Sequence, residues 1–263
     1  MPLVFRQYWK TMIMEAAAAV GESRLFLVGC LMRFVRVVAL LSIWRTVMVG
    51  KSQVSGMTLH ALLTYTLLSE ICADLLLCRT GLEAAWFSGS ITTRFLRPVS
   101  LFNQFSAEML GRAMLSVSLF ALPLALASPL LGISLRPASL FGGALFFLSL
   151  AAAIGVGLAL EYIFVGIGVN AGIHPYAING MRSAVSVVLS GALIPLKLLP
   201  WGIGLWLSWL PFASQASAPL TIFTGTEPVI KPFLLQLVWL IILWPCARWL
   251  WRANREKMVS YGG

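Results

Sequence analysis

Glu70 and Asp74 stand four residues apart in an otherwise apolar stretch, and Arg33 and Arg36 stand three apart in the stretch before it. On a helix either spacing places both side chains on one face. Two carboxylates and two guanidiniums in apolar surroundings are costly unless they pair or border water. Such a set could brace adjacent helices or line a polar path through a membrane. Glu161 and Asn170 are weaker candidates of the same kind.

Other chemistries find little support. Val49-Gly50-Lys51-Ser52 ends like a phosphate-binding loop, but that motif needs a glycine where Arg45 stands and a strand before it. No nucleotide-binding loop is therefore expected in this chain. Nothing resembles a nucleophile elbow or a His-Glu-x-x-His helix, and the acidic residues are few and scattered, which argues against enzyme chemistry. Cys30, Cys72, Cys78 and Cys246 all fall in apolar stretches without metal spacing. Cys72 and Cys78 would sit about 9 Å apart along one helix, too far for a disulfide. Buried, unpaired thiols are expected at all four positions. His60 and His174 are far apart in sequence, so no metal site is expected.

The elements that must carry these residues follow from composition. Of 263 residues, 59% are apolar and only 11% charged, and the mean hydropathy is +0.90. A soluble domain carries about 25% charged residues. The expected fold is all-α: a polytopic integral membrane protein forming one membrane domain. The net charge of +10 does not point to nucleic acid, because the basic residues punctuate apolar spans and form no long run. They suit topology-setting and contact with anionic headgroups.

A spanning helix needs about 20 mostly apolar residues. Six such spans are expected, at 25–49, 58–78, 102–131, 139–164, 176–196 and 231–251. Residues 1–24 precede them. There Phe5, Tyr8, Trp9, Met12, Ile13, Ala16 and Val20 recur at helical spacing among Arg6, Gln7, Lys10 and Glu15, the pattern of a helix lying in the interface. Glu15 interrupts what would be the apolar core of a signal peptide, and Arg24 follows, so cleavage is not expected. Residues 79–100 are too polar to span and read as a short helix and turn outside the membrane. The fourth span is rich in Gly and Ala (Gly142, Gly143, Gly155, Gly157), which permits close helix approach. Residues 195–224 are apolar but broken by Pro195, Pro200, Pro211 and Pro219, with Trp201, Trp206 and Trp209 among them. They read as a re-entrant hairpin dipping into the outer leaflet, tolerated where it packs on protein or lines water, with a plain seventh span as the alternative.

Basic residues set the orientation. Arg6, Lys10, Arg24, Arg79, Arg94, Arg97, Arg112, Arg182, Arg248, Arg252, Arg255 and Lys257 fall on the side of both termini, against Arg45, Lys51, Arg136, Lys197 and Lys231 on the other. Both termini, and residues 79–100, are therefore expected in the cytoplasm.

Gly89-Ser90-Ile91 leading to Phe95-Leu96-Arg97-Pro98-Val99, after the second span, resembles the permease subunits of type-2 ABC exporters. Gly191 through Pro200, Leu210-Pro211-Phe212, Pro219 and the final Gly262-Gly263 follow in the same order. The resemblance implies an N-terminal interfacial helix, six spans, a cytoplasmic coupling helix and a re-entrant pair before the last span. By this likeness Gly89, Ile91, Phe95, Leu96, Arg97 and Pro98 form or flank the element that docks on an ATPase. It implies a second permease copy, or a related permease, two cytoplasmic ABC ATPase subunits holding ATP and Mg, and a bacterial cytoplasmic membrane. The chain itself would bind no cofactor and catalyse nothing. An ion-coupled transporter using Glu70 or Asp74 as proton carrier is the first rival, although no duplicated half is seen. A membrane-embedded lipid enzyme using His174 is the second.

Overall fold

A computed structural model describes residues 3–21, 23–95 and 100–260. Among these the regular structure is helical. In chain order the α-helices are α1 (Leu3–Gly21), α2 (Ser23–Val47), α3 (Leu59–Leu77), α4 (Leu82–Phe87), α5 (Ile91–Phe95), α6 (Leu101–Ser116), α7 (Leu122–Leu126), α8 (Leu140–Ala171), α9 (Pro175–Leu189), α10 (Ile203–Leu207), α11 (Pro211–Gln215), α12 (Ser217–Thr224) and α13 (Ile230–Ser260).

Local chemistry explains the boundaries. Thr58 is extended and its hydroxyl accepts from the Ala61 amide at 3.2 Å, starting α3. The helix stops where Cys78 turns left-handed (φ 46°). Ser139 caps α8 through the Gly142 amide at 2.9 Å. His174 and Pro175 open α9. Between α6 and α7 a wider turn, Val117–Ala121, precedes Pro123, whose missing N–H interrupts the regular ladder.

Among the described residues, five helical stretches are long and apolar enough to cross a membrane: Leu27–Val47, Leu59–Phe87, Leu101–Leu126, Leu140–Ala171 and Ile230–Asn254. That is the character of a multi-pass membrane protein, with one such stretch fewer than the six expected. The missing one is the fifth. α9 has only 15 residues, about 22 Å at about 1.5 Å per residue, against roughly 30 Å of hydrocarbon. It ends at Leu189 because the chain turns through Ser190 and then Gly191 at φ 74°. The fourth span is longer than expected: nothing in 165–171 breaks α8, which runs to a left-handed Gly172.

The turns alternate between two ends of the bundle. At one end the Arg45 guanidinium donates to the Leu131 carbonyl at 2.5 Å, Ser134 meets His60 at 3.0 Å, and the Ala138 amide donates to Phe223 O at 3.0 Å. At the other, the Phe87 and His174 rings meet edge to face at 4.6 Å. α8 is the central post, packed along α13 and against α11 and α12. At Gly157 an added Cβ would lie 2.7 Å from Cys78 Sγ. α1 lies across α6 so closely that a Cβ on Gly111 would fall 2.3 Å from the Met12 carbonyl oxygen.

The buried core divides among these contacts. Leu82, Trp86, Phe105, Met109 and Tyr162 form one cluster, and Tyr65, Leu68, Phe146 and Leu220 a second. Val37, Leu41, Leu63, Leu67 and Phe120 form a third, which holds α2. Outside it, Leu27, Val28, Leu31, Met32, Phe34 and Val35 of α2 are exposed, as are Leu234, Val238, Ile241 and Ile242 of α13. Only 11% of the α2 span is buried, against 67% of the α3 span. Of the cysteines, Cys72 and Cys78 are buried, but Cys30 is half-buried and Cys246 exposed, which corrects the expectation of four buried thiols.

Candidate functional site

Arg33 and Arg36 on α2 face Asp74 and Glu70 on α3. The two helices run in opposite directions, so the lower-numbered arginine meets the higher-numbered acid. Arg33 Nη1 lies 2.5 Å from Asp74 Oδ2, and Arg36 Nη2 lies 2.5 Å from Glu70 Oε2. Arg33 is held further by the Glu70 carbonyl at 3.0 Å, by Ser116 Oγ of α6 at 3.0 Å, and by the Phe120 ring 4.1 Å from its guanidinium carbon. Ser116 in turn donates to Asp74. Each carboxylate thus has a guanidinium of its own. Two cavities flank this ladder. One, of about 360 Å³, reaches Arg33, Asp74, Arg79 and Arg112. The other, of about 90 Å³, is bordered by Arg36, Glu70, Ser186, Ser190 and Gln215.

Glu161 belongs to a different cluster. On α8 it faces Arg182 of α9, with Oε2 and Nε 2.6 Å apart and both side chains almost wholly buried (1% and 2% exposed). Its Oε1 accepts from the Thr80 amide at 2.9 Å and from the Thr80 hydroxyl at 3.0 Å. Arg182 Nη1 donates to the Leu77 carbonyl at 2.8 Å. One turn before Arg182, Asn179 donates to buried Glu83 of α4. The break between α3 and α4 is therefore clamped to both α8 and α9. Arg182, counted above among the topology-setting charges, is an interior residue of α9. Asn170 is apart from this cluster, nine residues along α8, where its Oδ1 accepts from Lys257 Nζ at 2.5 Å.

α4, Gly89 and α5 make an elbow at the same end of the bundle. Gly89 adopts φ 71°, the left-handed turn that separates the two short helices. Ile91 is fully buried, and Phe95 is partly buried against the first cluster. Arg94 grips Glu108 of α6 through contacts of 2.6 Å to both carboxylate oxygens and lies over Phe105, 4.4 Å from ring centre. The other side of the elbow is open: Phe87 is 56% exposed, and Ser88, Ser90 and Thr93 are exposed with it. Leu96, Arg97 and Pro98 lie outside the described residues.

Residues 190–216 contain much irregular backbone, and buried side chains satisfy it. Tyr65 Oη donates to Gly191 O at 2.8 Å, and Ser69 Oγ to Ala192 O at 2.6 Å. These two hydroxyls are what apolar surroundings demand beside non-helical backbone. Gln215 itself donates outward to Leu76 O of α3 at 2.5 Å, while Gln236 of α13 donates to Ser149 O of α8 and Ser214 O of α11 at 3.0 and 2.9 Å. Trp201 and Trp206 stand outward, 91% and 80% exposed. Sequence reasoning missed Tyr65, Ser69, Gln215 and Gln236; their signal was a polar residue on an otherwise apolar helical face.

His174 is exposed, and its Nδ1 accepts from the Tyr176 amide at 3.4 Å as the cap of α9. No protein family, curated protein or solved structure matches this chain.

Proposed function

We propose that this chain is the permease subunit of an ATP-driven exporter of the type-2 ABC class, seated in a bacterial cytoplasmic membrane with both termini inside. The observation that carries the reading is the elbow. Its inward face is bolted to α6 through Arg94–Glu108 and to α9 through Glu83–Asn179. Its outward face offers Phe87 to a partner. A short element fixed to the bundle and open on one side can pass a rigid-body push from a docked ATPase into the helices behind it. ATP and Mg would belong to that ATPase, and a second permease copy or a related permease would complete the pathway. α9 and residues 195–224 would supply the short fifth span and the re-entrant pair.

The ladder of Arg33, Arg36, Glu70 and Asp74 fits this reading as a brace beside the path. The ion-coupled rival is less well supported, because Glu70 and Asp74 each already hold a guanidinium at 2.5 Å. Whether an adjacent gene encodes a soluble ABC ATPase, followed by co-purification of the two products, tests the proposal. Arg97→Glu and Phe87→Glu should each lower ATPase recovery several-fold without loss of membrane insertion. Unchanged recovery in both variants, or solute transport by the purified chain alone in vesicles, would refute it.

A further inference from the structure

The larger cavity beside the Arg33–Asp74 pair has no task in the reading above. Three guanidiniums border it, from Arg33, Arg79 and Arg112, and one carboxylate, Asp74. Asp74 is matched by Arg33 at 2.5 Å. Arg112 reaches Glu15 only at 3.4 Å, and its other arm donates to the neutral carbonyls of Arg79 and Thr80 at 3.3 and 2.9 Å. Arg79 is exposed at the mouth. With both acids counted, three positive charges face two negative ones. Apart from Ser116, whose hydroxyl is spent on Asp74, the remaining wall is apolar, formed chiefly by Cys30, Leu77, Met109, Ala113 and Leu115.

A free anion would use the arginines and leave that wall bare. An apolar molecule would use the wall and leave the arginines bare. The volume, about 360 Å³, falls in the range of small-molecule sites, about 300–1,000 Å³. Guanidiniums present donors in a fork that suits phosphate oxygens. Asp74 and Arg112 are 38% and 39% exposed, so the cavity opens beside α2, the helix with the least buried span.

We propose that this cavity binds the phosphate headgroup of an anionic membrane lipid. Arg79 and Arg112 take the phosphate oxygens, and the upper part of the chains runs along Cys30, Met109 and Leu115. The site does not depend on an ATPase partner, so failure of the exporter reading would leave it standing.

The test is native mass spectrometry of the detergent-solubilised full chain, given phosphatidylglycerol and phosphatidylcholine of equal chain length. Phosphatidylglycerol should be retained in preference, and Arg79→Gln should cut that preference by about fivefold, since one basic residue near a lipid surface contributes on this scale. Cys30→Phe, which fills the cavity without changing charge, should remove the adduct. Lys51→Gln, beyond the far end of α2, should leave it intact. Equal retention of the two lipids by the native chain, an undiminished preference in Arg79→Gln, or survival of the adduct in Cys30→Phe would overturn the proposal. Full displacement of the lipid by excess inorganic phosphate would overturn the lipid as ligand and assign the site to phosphate alone.

Discussion

Removing Arg182 should destabilise this protein more than removing almost any other charged side chain. Its guanidinium is 2% exposed and lies 2.6 Å from Glu161 Oε2, with Glu161 itself 1% exposed. In Arg182→Met the partner carboxylate keeps only the two donors of Thr80, and its charge stays buried with no cation. Breaking a buried pair on one side costs about 3–5 kcal/mol. For a chain of this size each kcal/mol moves the midpoint by about 2–4 °C, so a drop of about 6–20 °C is expected. The double variant Arg182→Met with Glu161→Gln removes both charges and leaves a neutral amide oxygen to accept from Thr80. Replacing both partners of a buried pair is often close to neutral, so the double variant should recover to within about 2 kcal/mol of the native protein. Thermal unfolding in detergent, followed by tryptophan fluorescence on all four proteins, measures the cycle. A double variant as unstable as the sum of the two singles would refute the reasoning, because the arginine would then act through packing alone.

Two further outcomes are expected. Gly111→Leu should lift α1 from α6, because even the first added carbon would fall 2.3 Å from Met12 O; a bifunctional crosslink between Tyr8→Cys and Asn103→Cys, whose native side chains meet at 3.2 Å, should form in the native background and fail in the variant. Arg33→Asp should lower yield and thermal stability by leaving Asp74 against a second carboxylate, and adding Asp74→Arg should restore part of the loss; no recovery in the swapped pair would show that Ser116 and Phe120 hold the arginine more firmly than Asp74 does.

Much of the helical framework was legible because apolar length is written directly in sequence. The spans read from 58 and 139 do open there, at Thr58 and Ser139, whose side chains cap α3 and α8. The end of α9 was not legible: residues 190–194 carry no charge or proline, and the backbone turn at Gly191 is what stops the helix before Pro195. The site divides in the same way. Arg33, Arg36, Glu70 and Asp74 lie on two consecutive helices at spacings that force them onto facing stripes, so their meeting could be read in advance. Glu161 and Arg182 also lie on consecutive helices, but the intervening turn at 172–174 carries no sign of which faces meet. Arg182 therefore looked like one more topology-setting charge. Glu83 with Asn179, 96 residues apart, is a pairing only packing creates.

The ladder between α2 and α3 has a consequence for how such a chain could enter a bilayer. The stretch Leu27–Val47 contains eleven Leu, Ile, Phe and Val residues, each contributing about −0.3 to −0.6 kcal/mol to insertion, while each mid-helix arginine opposes it by about 2.5–3.5 kcal/mol. With Arg33 and Arg36 unpaired, the sum is near zero and α2 alone would hover between lipid and water. Once Asp74 and Glu70 arrive the opposing charges cancel in pairs. Helix two would therefore await helix three, and the translocation machinery would release them together as a hairpin.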